Sequence, residues 1–262
     1  MTAEGNDMKK EEKYVEVKTL KEVRPGRKLM CRNITIDGSE CKLNKLNDPT
    51  VQPVNYTFLF IHGSCAASSQ FDSLLEKLSE LNNSKKIHVH LYDQLGCGES
   101  KHPSNDWNAY SSSEHGNDLL EIVHSIISTM HKDSKLFITA HSYGVSQTIK
   151  CLISMDADKV SRVGGAILIG GGLKDGPTNL TNDGGHWIFS YVPMFVLNAM
   201  QPGLSRNFAE AAFHPVNTKL KEASLEVSNR NEMPMCKAFY RQQKYASSEE
   251  AKSLAVSNSH SF

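Results

Sequence analysis

Short apolar runs that alternate with amphipathic segments constrain the fold of this 262-residue chain more than any other feature. Four runs predict strands, at 56–61, 87–92, 136–140 and 163–171. Continuous apolar runs of this length are typical of parallel strands that are covered on both faces. Between these runs, apolar residues recur at helical spacing in three segments, 70–81, 112–130 and 145–153. The alternation predicts an α/β domain with a mostly parallel sheet and helices on both faces.

The pattern differs at the two ends of this alternating region. Two further strands are predicted before it, at 14–17 and 28–34, separated by the turn signal Arg24-Pro25-Gly26. After Gly172 the chain is rich in Phe, Met and Ala, and residues 187–246 are predicted to be mainly helical. Helix breaks are expected at Pro193, Pro202-Gly203 and Pro215.

These differences predict a core with a helical insertion that forms a cap. The expected division has four parts: a disordered tail at 1–13, an α/β core at 14–175, a helical cap at 176–246 and a polar tail at 247–262. Several Phe and Met side chains of the cap could line an acyl pocket, although packing within the cap is the more ordinary role for any one of them.

Composition excludes several classes of function. The 29 basic and 29 acidic side chains cancel, which gives no electrostatic reason to expect a nucleic-acid partner. The apolar runs are far shorter than the ~20 residues of a spanning helix, and the polar, mixed-charge first residues lead us to expect no secretory signal. No C-x-x-C pair occurs among the six cysteines, and no metal or cofactor is expected. A cytoplasmic location is predicted, with peripheral association with lipid left open.

The pentapeptide Ala140-His141-Ser142-Tyr143-Gly144 lies between a predicted strand and a predicted helix. A serine in this context is typical of a nucleophile elbow, a sharp strand-to-helix turn that exposes the hydroxyl at the edge of the sheet. The flanking positions must be small so that strand and helix can approach closely, and Ala140 and Gly144 meet this need. Such motifs also occur by chance, and the ordinary role of Ser142 would be that of a helix N-cap.

Two other loops follow strands at the same predicted edge. His62-Gly63-Ser64 comes directly after the strand at 56–61. In a serine acyl-transfer site, one oxyanion donor is the N–H after the nucleophile and the other comes from such a loop. The expected donors are therefore the N–H groups of Tyr143 and Ser64.

Asp93 begins the second of these loops, Asp93-Gln94-Leu95-Gly96-Cys97-Gly98. Its carboxylate is expected to brace the loop rather than to act as a catalytic acid. The glycine spacing in this loop does not match a nucleotide-binding loop.

Together these motifs, in this order, resemble those of the α/β-hydrolase superfamily over about residues 14–246. The resemblance implies an α/β-hydrolase fold, a nucleophile at Ser142 and carboxylic ester substrates, often lipid acyl esters. It also implies a catalytic acid after the seventh strand and a histidine after the eighth. Neither strand is found up to Phe262, so we expect a chain truncated at its C-terminus, with the last strands missing.

Substitutes for the acid and the base are weak. Asp175 follows the sixth strand, where some relatives keep their acid, and His260 is the only histidine after His214. His141 should point away from the hydroxyl of its neighbour Ser142. The spacing of His88 and Asp93 matches an acyltransferase motif, but His88 lies in a predicted strand and the match is interpreted as chance.

The predicted function is that of a serine hydrolase acting on a small acyl ester or a lipid, with weak or no activity in this chain. Two alternatives remain: a non-catalytic binding protein with a protein or lipid partner, and a lysophospholipid acyltransferase. If the sixth strand has no outer neighbour, it should expose an edge and apolar surface.

Overall fold

The computed structural model describes residues 14–37, 56–82, 86–101, 106–174 and 186–258. A six-stranded sheet forms its centre, with the spatial order β1-β2-β4-β3-β5-β6. The strands are β1 (Val15–Arg24), β2 (Arg27–Asp37), β3 (Tyr56–Ile61), β4 (Lys86–Tyr92), β5 (Leu136–His141) and β6 (Val163–Ile169). The last four in spatial order pair in parallel, whereas β1 and β2 pair antiparallel. The predicted mostly parallel sheet is confirmed.

Nine α-helices are found in the described ranges. They are α1 (Asp72–Leu81), α2 (Ser112–Thr129), α3 (Tyr143–Ser154), α4 (Ala157–Val160), α5 (His186–Tyr191), α6 (Met194–Ala212), α7 (Thr218–Arg230), α8 (Met233–Gln242) and α9 (Ser248–Asn258). Helices α1, α2 and α3 fall where helical spacing predicted them.

Two apolar clusters lie on opposite faces of the sheet. Phe60 belongs to the cluster that contains Leu75 of α1, whereas its neighbours Leu59 and Ile61 belong to the cluster that contains residues of α2 and α3. Alternate side chains of a strand point to opposite faces, so β3 contributes to both clusters. This arrangement explains why the sequence of β3 is continuously apolar.

The cap segment differs from its prediction at one proline. Pro193 precedes α6 and Pro215 follows it, but Pro202 lies inside α6, so the expected break at Pro202-Gly203 is wrong. Both residues of this pair are exposed, and solvent can reach the carbonyl group that a proline leaves without an N–H partner.

The segment predicted as a polar tail contains helix α9. Ser247 and Glu250 form a capping box: the Ser247 hydroxyl accepts the Glu250 N–H at 3.1 Å, and the Glu250 carboxylate accepts the Ser247 N–H at 2.7 Å. Ala251 and Leu254 pack against the main apolar cluster. The predicted tail at 1–13, Asp175 and His260 lie outside the described residues.

Strand β6 is the outermost strand of the described sheet and pairs with β5. Its side chains Ile167, Leu168 and Ile169 keep 56%, 43% and 43% of their surface exposed. The edge and the apolar surface expected for a sixth strand without an outer neighbour are both present.

Candidate active site

Ser142 lies between the last residue of β5 and the first residue of α3, in a left-handed backbone conformation with φ of 54°. Non-glycine residues rarely adopt this conformation, because it costs about 1–3 kcal/mol unless the surroundings enforce it. Its N–H donates to the Ile169 carbonyl of β6 at 2.9 Å, and its carbonyl accepts the Val145 N–H at 3.0 Å. The turn is therefore held from both sides, and Ser142 remains partly exposed.

Two glycines, Gly144 and Gly63, lie in close contact with this turn and its surroundings. A Cβ atom at Gly144 would lie 2.8 Å from the Ile61 carbonyl oxygen and 2.9 Å from that of His62. A Cβ atom at Gly63 would lie 3.0 Å from the Ser142 Cβ atom and 3.4 Å from its Oγ. The segment after β3 therefore runs alongside the serine hydroxyl, as the expected site requires.

We call residues 62–65, which follow β3, the oxyanion loop. Its Ser64 and the first residue of α3, Tyr143, were predicted to supply the two N–H donors. The first N–H groups of a helix have no partner within that helix, which suits Tyr143 to this role. The structure brings the loop and the start of α3 together at Ser142.

His62 is fully buried, and its ring bonds to Gly63 of the oxyanion loop and to Gln94, not to Ser142. Its Nδ1 donates to the Gly63 carbonyl at 2.8 Å, and its Nε2 accepts the Gln94 N–H at 2.9 Å. The Gln94 side chain in turn donates to the His62 carbonyl at 2.9 Å. Burial lowers the pKa of His62, so the ring is neutral in this network.

Asp93 is buried and braces the loop that it begins. Its carboxylate accepts the Ser68 N–H at 2.7 Å and the Glu99 N–H at 2.8 Å, and its carbonyl accepts the Ser100 hydroxyl. A Cβ atom at Gly98 would lie within 3.0 Å of all three carboxyl atoms of this side chain. The carboxylate is thus occupied by backbone groups away from Ser142.

The described residues provide no base or acid for Ser142. No hydrogen bond joins its hydroxyl to a histidine or a carboxylate in this part of the chain. His141 is half-exposed, burial lowers its pKa, and its ring extends toward Gly63 and Gly170. Asp175, the candidate for the catalytic acid, is among the residues that the structure does not describe.

The cap packs onto this edge of the sheet through amide side chains that no motif identified. Asn231, between α7 and α8, donates from Nδ2 to the Cys65 carbonyl at 2.5 Å. Gln243, just after α8, donates from Nε2 to the Ser64 hydroxyl at 2.7 Å. Isolated amides have no sequence signature, so only the fold reveals that they meet the oxyanion loop.

The cap side chains that could line an acyl pocket include Met233, Met235, Phe189, Phe195 and Phe208, and their environments differ. Met233 and Met235 are buried in the main apolar cluster, and Phe189 stacks on Tyr240 at 4.6 Å between ring centroids. Phe195 and Phe208 are 76% and 60% exposed. Met233, Met235 and Phe189 therefore pack within the protein, whereas Phe195 and Phe208 are too exposed for that role.

The described ranges contain neither a metal-binding cluster nor a membrane-spanning helix. No group of three or more His, Cys, Asp or Glu side chains there could hold a metal ion. No helix there is long and apolar enough to cross a membrane.

Comparison with known proteins gives a clear family match. A family model described as "Alpha/beta hydrolase family" matches residues 58–247. Similar solved structures include an epoxide hydrolase from Vigna radiata, at 10% identity over 89% of this chain and 72% of that one, with a TM-score of 0.58. A bromoperoxidase from Bacillus anthracis is 10% identical over 88% of this chain and 75% of that one, with a TM-score of 0.57.

A third similar structure is the 2-hydroxy-6-oxo-6-phenylhexa-2,4-dienoate hydrolase from Rhodococcus sp. strain RHA1. It is 14% identical over 92% of this chain and 75% of that one, with a TM-score of 0.54. At these identities the likeness concerns the fold, and the predicted fold class is confirmed. No curated protein sequence matches the chain.

Proposed function

Because the chain belongs to the alpha/beta hydrolase family, we propose that it is a serine hydrolase of carboxylic esters with Ser142 as the nucleophile. The observation that carries the proposal is the left-handed Ser142 at the turn between β5 and α3, next to the oxyanion loop. Backbone strain of this kind persists only where the surroundings enforce it, and it is concentrated at functional sites.

The proposed reaction begins with attack of the Ser142 Oγ on the ester carbonyl carbon. The carbonyl oxygen gains negative charge and accepts hydrogen bonds from the Ser64 and Tyr143 N–H groups. The hydroxyl proton passes to a general base, which lies outside the described residues, and from there to the oxygen of the departing alcohol as the tetrahedral intermediate collapses and leaves an acyl group on Ser142. Water then attacks the acyl carbon, one of its protons returns to the Ser142 Oγ, and the carboxylic acid is released.

The substrate class is proposed from sequence resemblance. Three segments, Val15-Glu16-Val17, Arg24-Pro25-Gly26-Arg27 and Ile169-Gly170-Gly171-Gly172, resemble those of alpha/beta-hydrolase domain-containing protein 8. Proteins related to it act on lipid acyl esters, and some are acyltransferases toward lysophosphatidic acid. We therefore propose an acyl ester with an apolar chain as substrate, with a lysophospholipid as an alternative acceptor in place of water.

A second candidate function follows from the surroundings of Ser142. Because no described histidine or carboxylate contacts its hydroxyl, Ser142 lacks the general base that makes a serine strongly nucleophilic. Enzymes without a triad member keep only about 10³–10⁴-fold acceleration over water. A non-catalytic protein that binds acyl esters or lipids is the alternative.

Covalent labelling separates these functions. A fluorophosphonate probe should phosphonylate Ser142 in the folded chain, and peptide mass spectrometry should locate the adduct there. Ser142→Ala should abolish the adduct and any turnover of nitrophenyl esters, with an unchanged thermal transition. If the folded protein takes up no probe and cleaves no ester, the hydrolase function is wrong and the non-catalytic binding function is favoured. Faster loss of the ester with lysophospholipid than with water alone would identify acyl transfer.

A further inference from the structure

We propose that Asn231 and Gln243, two amide side chains of the cap, are positioning residues that hold the oxyanion loop in its reactive shape. Seating of the cap on the core would then assemble the oxyanion hole. The catalytic consequence rests on the proposed function, whereas the contacts themselves do not. Neither residue is expected to touch the reacting atoms.

The oxyanion loop is strained at the residue that follows the expected donor Ser64. Cys65 has φ of 48°, and it and Ser142 are the two non-glycine residues with positive φ in the described part of the chain. Both strained residues therefore lie at the same site. Since the left-handed conformation is unfavourable for cysteine, contacts from outside the loop must stabilise it.

Asn231 supplies one of these contacts. Its Nδ2 donates to the Cys65 carbonyl at 2.5 Å, and only 4% of the residue is exposed. The Asn231 carbonyl accepts the side-chain amide of Gln201 in α6 at 2.8 Å. The residue is therefore anchored to the cap at its backbone and to the oxyanion loop at its side chain.

Gln243 supplies the second contact. Its Nε2 donates to the Ser64 hydroxyl at 2.7 Å, and the residue is 8% exposed. Its Oε1 is buried without a hydrogen-bond partner in the described residues. Leaving a buried amide oxygen unpaired costs about 1–3 kcal/mol, so the position is unfavourable for folding alone. A glutamine kept there at that cost is consistent with a role at Ser64.

The same cap segment also reaches the second expected donor. Ser112 of α2 donates to the Gln242 carbonyl at 2.8 Å and accepts the Lys244 N–H at 2.7 Å. Its hydroxyl lies 2.6 Å from the Tyr143 hydroxyl. Gln242 and Lys244 are thus linked through Ser112 to Tyr143, the first residue of α3. One stretch of the cap, residues 242–244, therefore bonds to Ser64 directly and to Tyr143 through Ser112.

The consequence is a coupling between the cap and the chemistry. If the cap lifts, Cys65 loses the contact that offsets its strain, and the Ser64 N–H is free to turn away from the developing oxyanion. Loss of one oxyanion donor lowers the turnover rate by about 10²–10³-fold. Because these donors act mainly in the transition state, kcat should fall while KM changes little.

The first test compares two neighbouring glutamines. Gln243→Leu removes the bond to Ser64, whereas Gln242→Leu removes only bonds to the Trp107 and Ala238 carbonyls. We expect kcat, or the maximal rate of fluorophosphonate labelling, to fall by about 10²-fold in the first variant and by less than about 3-fold in the second, with KM nearly constant in both. Equal rates in the two variants would overturn the proposal.

A conservative variant adds a pH profile. In Gln243→Glu the Ser64 hydroxyl, which accepts from Gln243 in the wild type, can instead donate to the new carboxylate, but a carboxylate beside the hole disfavours the oxyanion. The ratio of the variant's rate to the wild-type rate at the same pH should recover toward one as the pH falls through the pKa of the new carboxyl, normally about 4.3. A purely structural role for Gln243 would give no such recovery.

The second test measures the conformation of the oxyanion loop through the reactivity of Cys65, and it does not require enzymatic activity. Cys65 is buried, and contact with the Cys236 thiol together with burial raises its pKa well above its ordinary value, so alkylation by N-ethylmaleimide should be slow. Asn231→Ala and Gln243→Leu should each raise alkylation of Cys65, measured by peptide mass spectrometry, by at least about 10-fold relative to the buried Cys151.

The two tests distinguish the two proposals. If Cys65 becomes reactive in both variants but the wild type never labels at Ser142, the coupling stands and the proposed hydrolase function fails. If the wild type labels and Cys65 stays unreactive in both variants, the hydrolase function stands and the coupling is overturned. Gln242→Leu should leave Cys65 unreactive in either case.

Discussion

At the scale of single residues, the geometry of Ser142 depends on the absence of a side chain at Gly144. Gly144 is the second residue of α3 and faces two backbone carbonyl oxygens at the end of β3. Backbone atoms cannot move aside as a flexible side chain can, so even a methyl group here would push α3 away from the sheet. The elbow and the oxyanion loop share this contact, because the carbonyls belong to Ile61 and His62.

Gly144→Ala is therefore expected to destabilise the protein by about 1–3 kcal/mol, the usual cost of overpacking, and to slow labelling of Ser142. Urea unfolding and the rate of probe uptake measure the two effects. Gly116→Ala in α2 is the matched control, since a Cβ atom there meets nothing within 4 Å. That change should stabilise the helix by about 0.5–1 kcal/mol. Equal effects of the two substitutions would contradict this explanation of Gly144.

The sequence predicts the residues of the site better than their surroundings. The positions of Ser142, Gly63 and Gly144 follow from motifs with a backbone requirement, because a sharp turn and a close approach each restrict the residue type. Asn231 and Gln243 follow from no local requirement, because an amide is compatible with many environments. Contacts made across more than 160 residues of chain depend on the final packing and leave no local pattern.

At the scale of helices and strands, α2 connects the sheet to the cap through His115. Its ring packs edge-on against Phe239 of α8, with 5.3 Å between centroids, and both ring nitrogens are buried without partners in the described residues. Burial lowers the pKa of His115 to about 3, with further lowering from Arg27, His62 and Arg24. The fold therefore requires a neutral ring at this position.

This histidine predicts a pH dependence of stability. The folded-state pKa of His115 lies below its ordinary value of 6.5, so the unfolded chain binds the proton more tightly. Stability is then fully present above pH 6.5 and is lost as the pH falls toward 3, by up to about 1.4 kcal/mol per pH unit. His115→Phe keeps the aromatic contact and should reduce this loss, measured by chemical unfolding at pH 7 and pH 5.

Four other histidines also contribute to the slope, because burial lowers the pKa values of His62, His88, His90 and His141. The His115→Phe variant should therefore show a smaller slope, not a flat profile. A wild-type slope in His115→Phe would mean that this ring is not neutral in the fold.

Helices and strands were predicted well where the sequence has one clear apolar periodicity. They were predicted poorly where tertiary contacts determine the bounds of the element. Apolar periodicity located α1, α2 and α3, and β3 was predicted with its observed bounds. Strand β1 continues to Arg24, beyond its short apolar alternation, because it pairs with β2 along its length. Helix α9 was missed although Ser247-Ser248-Glu249-Glu250 carries a capping-box signal, because weak apolar content obscured it.

At the scale of the whole molecule, the two edge strands of the described sheet differ in charge. Strand β1 forms one edge, and its Lys18, Lys21 and Arg24 bond to Glu99, Ser125 and Asp118. Strand β6 has only apolar residues and glycines, Val163 to Ile169, and its charged neighbours lie beyond its ends. Edge strands without charge, proline or a covering element readily pair with other strands.

The chain is therefore expected to self-associate through β6 as its concentration rises, because exposed apolar surface and backbone groups without a partner strand in the described sheet lie on the same strand. Ile167→Lys should reduce the association measured by sedimentation velocity. It should leave the midpoint of thermal unfolding nearly unchanged, since the side chain is already 56% exposed.

Val216→Lys provides the control for this prediction, since it adds the same charge at a 76% exposed apolar position outside the sheet. If association depends on β6, this control should associate like the wild type. If it arises from general surface hydrophobicity, both variants should weaken it equally. A wild-type chain that stays monomeric at all concentrations and unfolds in one sharp transition would show that the β6 edge is covered. Labelling of Ser142, whose N–H bonds to the Ile169 carbonyl, should then also be insensitive to Ile167→Lys.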